Sequence, residues 1–429
     1  MRKNMTLRSG ALATLLVSTL WAQDIAGDWQ GTVKADSQEL RLVFQIAKGD
    51  KGGWRATNYS IDNSPDPIPV SSVTLEGSNL KMTVDEVGGT YEGKISVDGA
   101  SVDGTWTQGK PLPLVLQRAT KETAWPLDPT AHRVQFITVE DNVKLEVLDW
   151  GGSGRPMVLL TGAGNNAHVY DKFALKLTAS YHVYGITRRG FGASSAPATG
   201  YTADRLGDDV LAVLDALKLN RPVLVGHSLG GEEMSSVGSR HPERVAGLIY
   251  LDCYGYAYYD RFHGYMFVDL AELQRKLSLL QTGTGKEDPK QLIQELLEMS
   301  IPAFERGLRQ LQKDFEVMPA AMIAQWSEPR PAVYQEIYAG MQKYTNIPVP
   351  ILAIFAIPSE LGPEVGNDPS LRAAVEARET AWKEAQAEAL ETGVPSAHVV
   401  RLPHANHQVY LSNEADVLRE MHAFLKSLP

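Results

Sequence analysis

The chain has 429 residues, 43% of them hydrophobic, and its 41 basic and 51 acidic side chains give a net charge of −10. That is enough apolar material for more than one core, and the acidic balance argues against nucleic acid or an anionic membrane surface as a partner. Cys253 is the single cysteine, which excludes an intrachain disulfide and a cysteine-cluster metal site.

The chain opens with Arg2, Lys3 and Arg8, then the apolar run Ala11-Leu12-Ala13-Thr14-Leu15-Leu16-Val17 and small residues ending near Ala22. Residues 1–22 read as a secretory signal peptide, with export across a bacterial inner membrane as the expected setting: periplasmic or secreted. The run is too short for a permanent span and no later segment is long enough for one, so no stable membrane span is expected.

From Asp24 to Arg118 apolar and polar residues alternate between glycine pairs, as in Leu40-Arg41-Leu42-Val43-Phe44-Gln45-Ile46. This is the period of half-buried strands, and residues 24–118 are expected to form a small all-β, barrel-like domain. Its opening Gly27-Asp28-Trp29 and late Gly104-Thr105-Trp106 make it resemble the small lipocalin-like barrels that begin with G-x-W. Such a barrel could hold an apolar ligand, present substrate or assist dimerisation. A linker follows over 119–131.

Beyond it the texture changes. Met157-Val158-Leu159-Leu160 reads as a buried strand running into the glycine-rich turn Thr161-Gly162-Ala163-Gly164-Asn165. Another strand, Tyr181 to Ile186, leads into Arg188-Arg189-Gly190-Phe191-Gly192-Ala193-Ser194-Ser195 and a helix from about Tyr201 to Leu217. Pro222-Val223-Leu224-Val225 then enters Gly226-His227-Ser228-Leu229-Gly230, a serine held on a sharp turn between strand and helix, where flanking glycines tolerate strain and close approach. Strands alternating with helices at this spacing predict a parallel sheet covered on both faces.

Through the G-x-S-x-G elbow, the R-G-x-G-x-S segment from Arg189 to Ser194 and the late histidine in Asn406-His407-Gln408, residues 132–428 resemble the α/β-hydrolase superfamily. The resemblance implies an α/β-hydrolase fold over 132–429, with Ser228 as nucleophile. The family order of serine, acid, histidine leaves His404, His407 and His422 as bases, and His407 sits in the family's place, in the loop after the final strand Ala397 to Leu402. Two carboxylates compete as the orienting acid: Asp252, at the end of the strand after the elbow helix, and Glu360, beside Ser359 where relatives usually carry an aspartate. The oxyanion donors are expected to be the backbone N–H groups of Leu229 and Ala163.

Some ninety residues separate Asp252 from the next strand, Ile351 to Ala356, and their leucine periodicity (Leu270-Leu273-Leu277-Leu280, then Leu292-Leu296-Leu297) predicts a helical lid over about 254–346. It begins with Tyr254, Tyr256, Tyr258, Tyr259, Phe262, Tyr265 and Phe267, read either as lid core or as walls of a cleft for apolar or aromatic groups. A second insertion, Pro369 to Leu390, reads as one long exposed helix whose Glu376, Arg378, Glu379, Lys383 and Glu384 form a solvated face. Histidines are scattered, without H-E-x-x-H, so neither metal nor organic cofactor is expected.

The function expected is an exported serine hydrolase, of carboxylesterase type, cleaving small-molecule esters through an acyl-enzyme on Ser228. Amide or lactone hydrolysis would use the same parts, and a catalytically inactive binding protein on the same fold is the competing class. Serine where epoxide hydrolases and dehalogenases of this superfamily place aspartate argues against those reactions.

Overall fold

The structure, a computed structural model, describes residues 24–35, 38–49, 52–62, 67–128, 132–258, 266–283, 288–320, 323, 329–362 and 365–429. The signal-peptide reading and Tyr259, Phe262 and Tyr265 lie outside the described residues. The chain divides into two compact units, one drawn from residues up to Tyr59 and from 67–126, the other from 60–66 and 127–429.

The first unit is a meander of short strands: β1 Gly27–Ala35, β2 Gln38–Lys48, β3 Trp54–Ser60, β4 Ile68–Pro69, β5 Ser72–Glu76, β6 Asn79–Val84, β7 Gly89–Ile95, β8 Ser101–Gln108 and β9 Lys110–Arg118. They pair in the order β4-β3-β2-β1-β9-β8-β7-β6-β5. Every sequence neighbour except the pair β4 and β5 is a neighbour in space and the first strand pairs with the last, so the sheet curls as a half-barrel with β4 and β5 as its edges. Period-2 alternation sends Trp29, Phe44, Leu80, Met82, Tyr91, Val102, Trp106 and Leu116 into one core. Trp29 of the G-x-W segment is fully buried, its indole N–H donates to the Ile25 carbonyl at 2.9 Å, and the Arg118 guanidinium lies 4.4 Å from its ring centroid. Gly89 has a packing reason: a Cβ there would come within 2.3 Å of the Trp106 ring.

The second unit is built on eight strands: β10 Arg133–Glu140, β11 Val143–Gly151, β12 Arg155–Leu160, β13 Tyr181–Ile186, β14 Val223–His227, β15 Gly247–Leu251, β16 Ile351–Ala356 and β17 Ala397–Leu402. Their order is β10-β11-β13-β12-β14-β15-β16-β17; β11 pairs antiparallel with both of its neighbours, and every pairing from β13 on is parallel. β14, β15 and β16 are buried at every position, as near-continuous apolar runs in a two-sided sheet must be. One face packs on the helices Ala203–Ala216 and Gly230–Arg240, the other on Glu414–Ser427. This is the α/β-hydrolase fold, and its parallel strands bring their carboxyl ends to one edge, where such sheets place their sites.

Between β15 and β16 run the helices Met266–Thr282, Pro289–Glu295, Ile301–Val317 and Ala332–Ala339, so the lid is helical as expected. The leucine stripe, however, divides: Leu292 and Leu296 are buried, whereas Leu277, Leu280 and Leu297 are exposed. The inner side of Met266–Thr282 instead buries Asp269 and Lys276, with Lys343, Glu272 and Glu295 closing ion pairs around them.

The second insertion forms the helix Pro369–Gly393, capped at its start by Asp368, whose carboxylate accepts from the N–H groups of Ser370 and Leu371. The expectation of an exposed helix is corrected along one stripe, which buries Val375, Lys383, Gln386, Ala387 and Leu390. Lys383, expected on the solvated face with the charged residues around it, instead has a buried carboxylate to meet.

Candidate active site

Three loops meet at the carboxyl edge of the sheet. β14 ends at His227, and Ser228 takes a left-handed φ of +50° before the helix Gly230–Arg240 begins. For a side chain other than glycine that conformation is uncommon, and here it turns the chain sharply enough to leave the serine half-buried while its neighbours are buried. The flanking glycines serve close approach. A Cβ on Gly226 would lie 2.9 Å from the Gly230 carbonyl group, and one on Gly230 would lie 2.7 Å from the Leu160 carbonyl oxygen.

Asp252 follows β15, the strand beside β14, and also has a left-handed φ, +47°. Its side chain is wholly buried. One carboxylate oxygen accepts from the Ala356 N–H at 2.9 Å and the other sits 2.7 Å from His407 Nδ1, while the Lys383 ammonium lies at 3.3 and 3.1 Å from the two. Burial alone would push this carboxyl up; the His407 bond, the Lys383 charge and the Ala356 N–H together outweigh it and hold the group below the ordinary carboxylate range. Asp252 is therefore ionised at neutral pH, with every neighbour suited to a fixed anion.

His407 lies beyond β17 and its side chain keeps 41% exposure, so one imidazole nitrogen is tied to Asp252 in a ring that solvent and ligand can reach. It is seated against the elbow: its ring centroid is 4.5 Å from that of His227, and its backbone carbonyl is 3.0 Å from His227 Nε2. Burial, reinforced by the nearby His407, draws His227 down to about 3, which keeps it neutral. Tyr254 packs 5.2 Å from the His407 ring on another side and Trp382 stands 5.0 Å from Tyr254.

Glu360 follows β16. Its N–H bonds the Ala405 carbonyl at 2.8 Å, and it lines a cleft of about 300 Å³ with Ser359, Leu361, Arg372, Glu376 and His404. The carboxylate that meets His407 is that of Asp252. At Ser359, where relatives usually carry the acid, the hydroxyl is 2.7 Å from Lys383 Nζ, so the same lysine spans the ends of both strands.

The glycine-rich turn after β12 passes directly beside the serine: a Cβ on Gly162 would be 3.3 Å from Ser228 Cβ and 2.8 Å from His227 Nδ1. Ala163 is thus placed one residue from the contact, and Leu229 lies buried at the start of the elbow helix. A residue that sequence reading passed over fixes this turn. Arg188, buried, donates to the Thr161 carbonyl at 2.6 Å and to the Gly162 carbonyl at 3.4 Å, and pairs with Glu233 of the elbow helix. Since the Gly162 C=O and the Ala163 N–H share one trans peptide plane and point oppositely, holding the first aims the second away from Arg188.

The R-G-x-G-x-S segment also has a structural explanation. Arg189 is buried and forks onto Asp209 at 2.6 and 2.7 Å; Gly190 and Gly192 have φ of +84° and +49°; and the Ser194 hydroxyl donates to the Thr187 carbonyl while accepting from the Glu146 N–H. The lid's aromatic opening divides in turn. Tyr254 reaches the site, Tyr256 is buried, and Phe267 packs on Tyr338 with centroids 5.1 Å apart. Cys253 is fully buried, its thiol donating to the Gly226 carbonyl at 3.1 Å, and burial pushes that thiol well up. It is a packing residue.

The model of the alpha/beta hydrolase family matches residues 157–420, and this chain belongs to that family. Among its relatives, it is 30% identical over 101 residues to 2-(acetamidomethylene)succinate hydrolase of Mesorhizobium japonicum, a match covering 24% of this chain and 36% of that protein. It is 42% identical over 96 residues to a putative non-heme chloroperoxidase of a Synechocystis species, covering 22% of this chain and 35% of the relative. With 3-oxoadipate enol-lactonase 2 of Acinetobacter baylyi it shares 32% over 122 residues, 28% of this chain and 45% of the relative. Each match thus spans less than half of the relative. The solved structure of E-2-(acetamidomethylene)succinate hydrolase superposes with a TM-score of 0.42 at 20% identity, over 69% of this chain and all of that one.

Proposed function

We propose that this protein is a serine hydrolase of carboxylic esters. The observation that carries the reading is a buried, ionised Asp252 bound to an accessible His407 that packs against an elbow whose serine is held at a left-handed φ. Ser228 Oγ attacks the ester carbonyl carbon while His407 Nε2 takes its proton; the tetrahedral oxyanion is received by the N–H groups of Ala163 and Leu229. Collapse breaks the acyl C–O bond, and His407 passes its proton to the leaving alcohol. Water, deprotonated by the same imidazole, then attacks the acyl-enzyme and releases the acid. Asp252 holds His407 in the tautomer with Nδ1 protonated and stabilises the imidazolium.

Tyr254 beside His407, with Trp382 packed on Tyr254, favours substrates with apolar or aromatic groups. The relatives include an enol-lactonase and a hydrolase of a succinate derivative, so lactones belong in the substrate panel. The basic-then-apolar segment before residue 23 supports export, which N-terminal sequencing of the protein recovered from a bacterial periplasm tests.

Hydrolysis of p-nitrophenyl esters of increasing chain length, together with γ- and δ-lactones, tests the central reading. Ser228→Ala is expected to lose at least about 10⁴-fold in kcat, and a fluorophosphonate is expected to label Ser228 in the wild type. Ester turnover that survives Ser228→Ala, or label found elsewhere, sinks the assignment.

A further inference from the structure

A second convergent cluster stands apart from Ser228, Asp252 and His407 and shares no residue with them. Asp128, His132, His168 and Asp171 bring one donor atom each to within 4.8 Å of one another. His132 Nε2 is 3.2 Å from Asp128 Oδ2, its Nδ1 is 3.2 Å from Asp171 Oδ1, and His168 Nδ1 is 3.5 Å from Asp171 Oδ2. Both imidazoles are almost wholly buried, at 1% exposure. These approaches lack hydrogen-bond geometry: among the described residues, both nitrogens of His132 and Nδ1 of His168 are buried without a hydrogen-bond partner. Buried ring nitrogens facing carboxylates at such distances are poorly served by each other and well served by a cation.

The spacing fits a small one. A tetrahedral ion with bonds of about 2.0–2.1 Å keeps its ligands about 3.3 Å apart; taken one atom from each residue, the four donors lie within 4.8 Å of one another, so small side-chain movements would close them on one ion. Two imidazoles and two carboxylates are the nitrogen and oxygen set that zinc accepts, and four protein ligands make a closed, structural site instead of an open, catalytic one. An outer layer is already built. His168 Nε2 faces the buried Glu146 at 3.4 Å, Glu146 accepts the Thr187 hydroxyl at 2.6 Å, and the Trp150 indole N–H donates to Asp171 at 2.8 Å. A carboxylate behind a ligating histidine, and a donor behind a ligating carboxylate, are what orient metal ligands.

We propose that these four side chains bind one divalent ion of the zinc class, clasping the stretch before β10 to the segment that follows the Thr161–Gly164 turn. The inference is independent of the catalytic reading. Scattered histidines concealed it in the sequence, because the ligands come as two separate pairs, Asp128-x-x-x-His132 and His168-x-x-Asp171, joined only by the fold.

The test uses the full, untagged chain, freed of metal with a chelator, returned to chelator-free buffer and titrated with zinc chloride by calorimetry. Uptake of one zinc per chain is expected, with a rise in Tm of roughly 5 °C at a hundredfold excess over Kd. Cobalt in the same site should give the intense visible bands of tetrahedral coordination. His132→Gln should weaken binding at least a hundredfold and abolish the Tm response. Asp128→Asn, at an exposed position, should leave the fold intact and weaken binding at least tenfold, and Glu146→Gln ten- to hundredfold. His182→Gln, whose ring pairs with Asp149 outside the cluster, should bind as the wild type does. A Tm indifferent to zinc and chelator would overturn the proposal and leave a metal-free imidazole–carboxylate network, and stoichiometric uptake unchanged in Asp128→Asn would overturn it by moving the ion elsewhere.

Discussion

At the residue scale the decisive contact is the 2.7 Å bond between His407 and Asp252. If that bond orients the base, Asp252→Asn leaves the shape and reverses the hydrogen-bond preference, and kcat should fall about 10⁴-fold by analogy with the orienting aspartate of serine proteases. Glu360→Gln, in its own cleft, should stay within about threefold of wild type. Equal small losses would show that neither carboxylate orients the histidine. Ser228 and His407 were legible because G-x-S-x-G and chain order constrain them, whereas Asp252 and Glu360 both sit just past strand ends and only the fold says which one faces the imidazole. Arg188 was not legible as a support for the turn, since its partners are backbone carbonyls, which no side-chain pattern encodes. His227 gives a second prediction. Held near 3 in the folded protein against about 6.5 when unfolded, it takes up a proton only in the unfolded chain between those pH values. Stability therefore falls as pH falls through that window, by up to about 1.4 kcal/mol per pH unit. Urea unfolding of wild type and His227→Gln should converge, or cross, in the variant's favour by roughly 1.5 kcal/mol from pH 6.5 to 5; a pH-independent difference would show that His227 is protonated in place.

At the element scale, the helix Pro369–Gly393 shows how a correct assignment of type can carry a wrong assignment of face. Its charged residues suggested solvent all round, yet Lys383 turns inward to Asp252, Ser359 and the Ala356 carbonyl, with Tyr254 beneath it at 4.3 Å. The ammonium is acceptable there because each of its contacts is an acceptor or a ring face, and Trp382, Gln386 and Leu390 mark the same inward stripe. Breaking such a buried pair from one side typically costs about 3–5 kcal/mol; Asp252 keeps His407 and the Ala356 N–H, so Lys383→Met should cost about 3 kcal/mol. Glu384→Gln, one residue along, removes only a half-exposed pairing with Arg401 and should stay within about 0.5 kcal/mol. Denaturant midpoints of the two variants decide it: similar small losses would mean that Lys383 adds nothing to the acid's setting. The lid teaches the same lesson in reverse, for its leucines predicted helices correctly while the inward side of Met266–Thr282 is held by Asp269 and Lys276.

At the scale of the whole molecule, the two units were legible as a change in period, from two residues in the meander to strand and helix alternation beyond it. The curl of the first unit was legible only in part, because pairing of β1 with β9 depends on register between segments some eighty residues apart. That unit nevertheless has what independent folding requires. Its core is its own, with Trp29, Phe44, Tyr91 and Trp106 among fifteen buried residues of those described, and it needs no disulfide. Gln30 also ties Thr123 and Trp125 back onto β1, at 2.8 and 2.9 Å, so the natural end of the unit lies beyond β9, near Pro126. A fragment of residues 24–126 should therefore unfold cooperatively by itself, with a van't Hoff enthalpy of about 70 kcal/mol, as roughly 0.7 kcal/mol per residue implies. Tryptophan fluorescence should report Trp29 and Trp106 leaving the core in the same transition. A fragment cut at Arg118 loses the Gln30 contacts and should melt several degrees lower. If instead residues 24–126 give a broad, enthalpy-poor transition and bind a hydrophobic dye while the full chain does not, the first unit depends on the second for its fold, and its buried rings are not a sufficient core.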